Sequence, residues 1–195
     1  MRIEDGKGSG RDAQVDDQNR LRTHAVTEDE SLHASEEGNA YNLNTGLVSL
    51  SADTAIMYYK NTGEKDFVVE AIAIGSFDGI THSNDPYLEL IRNPTGGTLI
   101  SDANTTGVLN QNRNFGSSNS LSGLFYGASA SGKTVSGGET IALLQATAGS
   151  RSYYGINFVL PKGSSMAVNV KLNASSGSAN WYAAIIGFEK DDTTD

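Results

Sequence analysis

Alternation of apolar and polar residues with a period of two is the feature that most limits what this chain can fold into. In "SMAVNVKLN", Met166, Val168, Val170 and Leu172 fall on one face, and Ala167, Asn169 and Lys171 on the other. That is the pattern of a half-buried strand. "SYYGINFVLP" repeats it. Tyr154, Ile156, Phe158 and Leu160 share a face, Gly155 and Asn157 lie opposite, and Pro161, with no N–H for a ladder, ends the run. "DFVVEAIAIGSF" and "NWYAAIIGFEK" are apolar on both faces. Such runs predict central strands, or strands whose second face another subunit covers.

Shorter strand-like runs are "GLVSLSA", "TAIMYYKN", "PYLELIRN", "LSGLFYG" and "ETIALLQAT", separated by turn sequences such as "NTGEKD", "PTGG", "VSGG" and "SSGSAN". The 22 glycines against 3 prolines suit many turns between short strands. No segment of useful length after residue 45 has a helical period. Eight or nine strands without crossover helices predict an all-β, antiparallel β-sandwich. A jelly roll is the first choice and an immunoglobulin-like sandwich the second.

Residues 1–45 differ in kind. "GKGSGRDAQVDDQNRLRTHAV" has no period that could bury a face, and its composition is that of an extended or disordered arm. One short helix is predicted within "TEDESLHASEEGNAY". Thr27 and Glu30 have capping-box spacing, and Gly38 can end the helix. Leu32 is almost its only large apolar residue, so about three turns would be marginal alone and are expected to dock on a partner subunit. The chain thus divides into an N-terminal arm (1–45), a sandwich domain (46–190) and the acidic tail "DDTTD" (191–195).

A formal net charge of −9 argues against nucleic acid and against an anionic membrane surface as partners. The absence of cysteine removes disulfides, thiolate nucleophiles and cysteine-ligated metals. No apolar run resembles a signal peptide or approaches the roughly 20 residues of a membrane span, so synthesis in a cytoplasm is expected. His24, His33 and His82 are not spaced as metal ligands, and "VDDQN" and "KDDTTD" lack the calcium-loop pattern. No G-x-S-x-G elbow marks a nucleophilic serine. The expectation is therefore no metal, no cofactor and no catalytic residue.

"GASASGKT", Gly127 to Thr134, does fit the phosphate-loop pattern G-x-x-x-x-G-K-[ST]. A working loop needs a helix starting at its Lys-Thr, to aim N–H groups and a dipole at the phosphates. Here "VSGGET" follows, and Gly137-Gly138 would cost roughly 2 kcal/mol of helix propensity in the first turn. A plain loop is expected. A second option is that Trp181, Tyr58, Tyr59, Tyr153, Tyr154 and Tyr182 present rings to sugars; aromatics in strands are more often core or subunit interface.

The order of these parts resembles virion structural proteins of tailed bacteriophages, above all head decoration (cement) proteins. The resemblance lies in "RIEDGKGSGRDAQVDDQNRLRTHAV" followed by "EEGNAYNLNTG", in "AIMYYKNTGEKDFVVEAIAIG" as an opening strand pair, and in "LPKGSSMAVNVKLNASSGSANWYAAIIGFE" as closing strands. It implies a non-enzymatic protein on the capsid surface of a virion, bound in many copies to the major capsid protein. A homo-oligomer, trimer favoured, is implied, with the arm tying neighbours together. Arg20, Leu21, Arg22 and Leu32 are the implied capsid contacts. The same resemblance allows a tail or fibre sandwich for receptor or carbohydrate recognition.

Overall fold

In a computed structural model, residues 29–77, 86–101, 107–146, 150–172 and 178–190 are described in full, together with the backbone of three short strands before them. The body is a sandwich of two antiparallel sheets. One has the order β10-β6-β13-β8-β11, with β6 at Thr54–Asn61, β8 at Tyr87–Arg92, β10 at Gly123–Gly127, β11 at Glu139–Gln145 and β13 at Ser165–Lys171. The other has the order β12-β7-β14-β4-β9, with β4 at Ala40–Asn44, β7 at Asp66–Ser76, β9 at Leu109–Asn112, β12 at Arg151–Leu160 and β14 at Ala179–Lys190. β5 (Val48–Leu50) also pairs with β14. From β5 to β10 each successive strand changes sheet, and β11 to β14 alternate again. The chain thus winds back and forth between the two sheets of an antiparallel sandwich.

The two runs that are apolar on both faces, β7 and β14, are neighbours in the middle of their sheet. The period-two run of β13 buries its expected face, Met166, Val168, Val170 and Leu172 all being at most 2% exposed, while that of β12 is fully buried at Leu160 and half-buried at Tyr154, Ile156 and Phe158. Between the sheets lie Trp181, Tyr59, Phe67, Ile56, Ile72 and Leu90, each fully buried or nearly so. Tyr59 stacks on Phe125 at 5.1 Å and meets the edge of Phe67 at 5.2 Å, an aromatic junction joining both sheets. Asn61, also buried, holds the β6–β7 turn. Its amide donates to the carbonyls of Lys65 and Leu160, and its Oδ1 accepts from Gly63 N–H.

The expected arm boundary at residue 45 needs one adjustment. Ala40–Asn44 is a strand of the six-stranded sheet, paired with β14 from Ala184↔Asn44 to Phe188↔Ala40. Its alternation was hidden because Asn42 and Asn44 stand opposite Tyr41 and Leu43 in a short polar context. β9 is equally polar, "LNQN", and gave no strand signal. Within the arm, β1 (Ile3–Glu4), β2 (Asp12–Val15) and β3 (Leu21–Arg22) pair with one another. Backbone ladders need no apolar face, which is why periodicity did not announce them.

The helix expected in the arm is α1, Glu30–Glu36, two turns long. Its cap is Asp29, whose carboxylate accepts from Ser31 and Leu32 N–H; an anion there also suits the helix dipole. Gly38 ends it with φ 76°, as the sequence foresaw. α1 docks on its own sheet: Ala34 packs on Ala40, Phe188 and Val68, and Lys190 pairs with Glu30 at 3.0 Å. Leu32 stays 55% exposed.

Two outcomes follow from this packing. A Cβ on Gly187 would lie 2.2 Å from the Val68 carbonyl oxygen and 2.8 Å from the Phe67 ring. Gly187→Ala should therefore lower stability by about 1–3 kcal/mol, read as a shifted urea midpoint at unchanged slope. Gly155→Ala, with nothing within 4 Å, is the control. Separately, the Tyr41 hydroxyl donates to Glu189 at 3.3 Å. Burial first, then the Glu189 charge and hydrogen bond, push Tyr41 up to about 12 from 10.0; burial raises Tyr59 still further. The fold favours the neutral phenols, so this stabilisation is complete below pH 10.0, the ordinary value, and falls as pH climbs through 12. An ultraviolet titration of tyrosinate run beside a denaturation series in alkali should show both effects together.

Candidate interaction surfaces

The phosphate-loop pattern lies in the connection between β10 and β11. These strands are opposite edges of one sheet, so residues 128–138 must cross its end, and the loop's polar groups hold that crossing in place. Ser131 Oγ accepts from Ser51 and Ala52 N–H. Gly132 N–H donates to Thr54 Oγ1 at 2.9 Å, and Thr134 N–H to Thr98 Oγ1 at 2.9 Å. The carbonyls of Lys133 and Thr134 accept from Ala55 and Leu99. α2, the four residues Thr98–Ser101, lies against this crossing. Thr134 leads into a bridge between Ser136 and Gly96, and Gly137 and Gly138 take φ of 69° and 79°. The N–H groups of Gly132 and Thr134, which a phosphate would use, bond to the chain's own hydroxyls.

The structure separates the aromatic residues that the sequence grouped. Trp181 and Tyr59 are fully buried and Tyr58 is 4% exposed, whereas Tyr153 is 66% exposed and Tyr154 and Tyr182 are half-buried. Trp181 is a core residue and cannot stack on a sugar. His33 sits on α1 beside Glu37, 3.3 Å away; His24 and His82 lie outside the described residues. Among the described residues no group of three His, Cys, Asp or Glu could hold a metal, and no helix is long and apolar enough to cross a membrane.

Of the expected contact residues, Arg20 lies outside the described residues. Leu21 and Arg22 form β3, of which only the backbone is described, and Leu32 projects from α1. Nothing brings these four into one described patch.

A larger surface emerges on the six-stranded sheet. Among the described residues, α1 covers the end of its outer face where Val68, Ala40 and Phe188 lie. Beyond that end, Tyr153, Phe77 and Leu47 are 66%, 56% and 62% exposed, beside the half-buried Tyr182 and Ile186. Arg151, Gly75 and Tyr182 form one row across β12, β7 and β14. A Cβ on Gly75 would strike the Tyr182 ring at 2.3 Å, so the glycine lets that ring lie down on the sheet. Arg151 sits 6.0 Å from the ring centroid and Phe77 5.7 Å from it.

Beside this face the sandwich is open. β11 and β12 are edge strands of opposite sheets, and Ile141 and Phe158 line one cleft of about 260 Å³ with Leu160 and Met166. Residues that point between the sheets from β12, namely Tyr154, Ile156 and Phe158, are only half-covered, while Leu143 and Val159 are 64% and 55% exposed. Both edges are bulged, at Ile141 and between Gly155 and Phe158. Bulges discourage a further strand from adding to the edge, so what meets this side must do so through side chains. No protein-family model, no curated protein and no solved structure matches this chain.

Proposed function

We propose that this chain is a non-enzymatic structural protein of a tailed-phage particle, one that decorates and stabilises the capsid by binding the major capsid protein lattice. It acts as a closed homo-oligomer, with a trimer favoured. The observation that carries this is the uncovered apolar area on the outer face of the six-stranded sheet, next to the open β11–β12 side. Exposed apolar areas of this kind mark association sites. An edge and a face are different surfaces, so seating the edge of one copy on the face of the next is a heterologous contact. Such contacts close into rings when the rotation allows.

The arm supports the same reading. It is polar and its described strands pair with one another, so it can order on a lattice and spread contacts over a wide surface. Repeated over many copies, weak contacts add through effective concentration. Arg20, Leu21, Arg22 and Leu32 are the contacts this reading assigns to the shell.

Sedimentation should give a stable oligomer, and Tyr153→Glu with Val159→Glu, both at exposed positions, should weaken association by about a hundredfold or more without unfolding the chain. A chain that is monomeric at about 100 μM ends the oligomer claim. Removing residues 1–28, which spares α1 and β4, should leave that oligomer intact and abolish attachment to undecorated shells of the parent virus. Truncated protein that decorates shells as well as the intact chain would sink the role given to the arm.

A further inference from the structure

The opposite sheet carries a second cleft, of about 480 Å³, on its outward face between the Asn93–Ile100 segment and β10. Its volume lies in the range of small-molecule sites. Tyr58 and Tyr126 line it as a nearly parallel pair, ring centroids 5.7 Å apart at 21°, and Leu124, 44% exposed, continues the apolar surface. Asn93 and Ser164 contribute polar groups. Asn93 Oδ1 accepts from Ser165 N–H at 2.8 Å, which leaves its amide nitrogen as a donor.

One lining residue is charged: Lys60. In a chain with net charge −9 carboxylates are in excess, and the other described cations have found partners. Arg92 pairs with Glu139, Arg113 with Glu70, Lys162 with Glu64 and Lys190 with Glu30. Lys171 lies between Asp53 and Glu89; burial lowers its pKa, and the two carboxylates more than reverse that, so it is raised. Arg151 rests over Tyr182, and Lys65 and Lys133 also have partners. The Lys60 ammonium has neither an ion-pair nor a hydrogen-bond partner among the described residues, and the residue is half-buried.

We infer that this cleft is a binding site for a carboxylated sugar, of the uronic or sialic acid class. The ring's C–H face lies against Tyr126 and Leu124, its hydroxyls bond to the tyrosine hydroxyls, Ser164 and Asn93, and its carboxylate meets the Lys60 ammonium. The chemistry selects against other anions. A phosphate is held by several donors at once, as when a lysine is joined by an arginine fork or by backbone N–H groups, and here the N–H groups of Asn93, Thr95, Gly163, Ser164 and Ser165 already donate to oxygens of the chain itself. A peptide carboxyl terminus calls for a backbone nest. One ammonium beside an aromatic, hydroxyl-rimmed surface matches one carboxylate on a hydroxylated ring. The site lies on the sheet opposite the association surface proposed above, and the inference holds whether or not the chain sits on a capsid.

The test is calorimetric and NMR titration of the full chain with trigalacturonate, its neutral methyl ester, and N-acetylneuraminate. Saturable binding of an acid is expected, with the ester at least about tenfold weaker than trigalacturonate, since it has the shape without the charge. Lys60→Met should bring the acid down to the level of the ester and leave the ester unchanged. Tyr126→Ala should weaken every ligand, with thermal melts confirming that both variants fold. Equal binding of acid and ester, an acid affinity untouched by Lys60→Met, or no saturation by either acid at about 10 mM would each overturn the assignment.

Discussion

The structure rests on the pairing of two strands that are apolar on both sides. β7 and β14 run antiparallel from Trp181↔Ser76 to Lys190↔Asp66, and a sheet centred on them has two surfaces to remove from water. The inner one meets the second sheet and makes the core. The outer one is too apolar to be left bare, yet among the described residues its cover is the two turns of α1, whose single buried side chain is Ala34. Everything proposed about association follows from this mismatch between the width of the sheet and the size of its cover. The open side adds to it, because β11 and β12 leave their inward residues half in solvent.

The loop that imitates a phosphate site shows how one composition can serve two purposes. Glycines and hydroxyls suit a nucleotide because they expose N–H groups and bend tightly. The same properties suit a chain that must travel from one sheet edge to the other without a helix. Gly132, Gly137 and Gly138 adopt left-handed φ, and the hydroxyls of Ser131, Thr54 and Thr98 hold neighbouring backbone N–H groups. What distinguishes the two uses is the element that follows, and here it is an isolated bridge and then an edge strand.

Much of the fold was legible because burial in a sheet writes its period into the side chains. The nine runs recognised by alternation or by apolarity all became strands, and the pair apolar on both faces became the central pair. β4, β9 and the arm's short strands were not legible, since a ladder forms through backbone groups that every residue carries. The interaction surfaces were legible only in part. Two-sided apolarity pointed to a covered outer face, but nothing in the order of residues separated buried Trp181 and Tyr59 from exposed Tyr153. That depends on which edge each strand occupies. The Lys60 cleft left no trace in the sequence, because its residues come from β6, β10 and the turns after β8 and β12.

The most C-terminal of the described strands is also the one on which the six-stranded sheet is built. β14 lies between β7 and β4, with Ala184 opposite Asn44 and Lys190 opposite Asp66, so each of these earlier strands, although β12 and β9 pair with their other sides, lacks one neighbour until β14 has been made. Without this one strand β5 would lose its described partner, β4 and β7 would each keep an unpaired edge, and the core would lose Trp181 and Ile185. A fragment that stops short of β14 would therefore bare strand edges of the kind that pair indiscriminately, and closure of this sheet waits on the most C-terminal of its described strands.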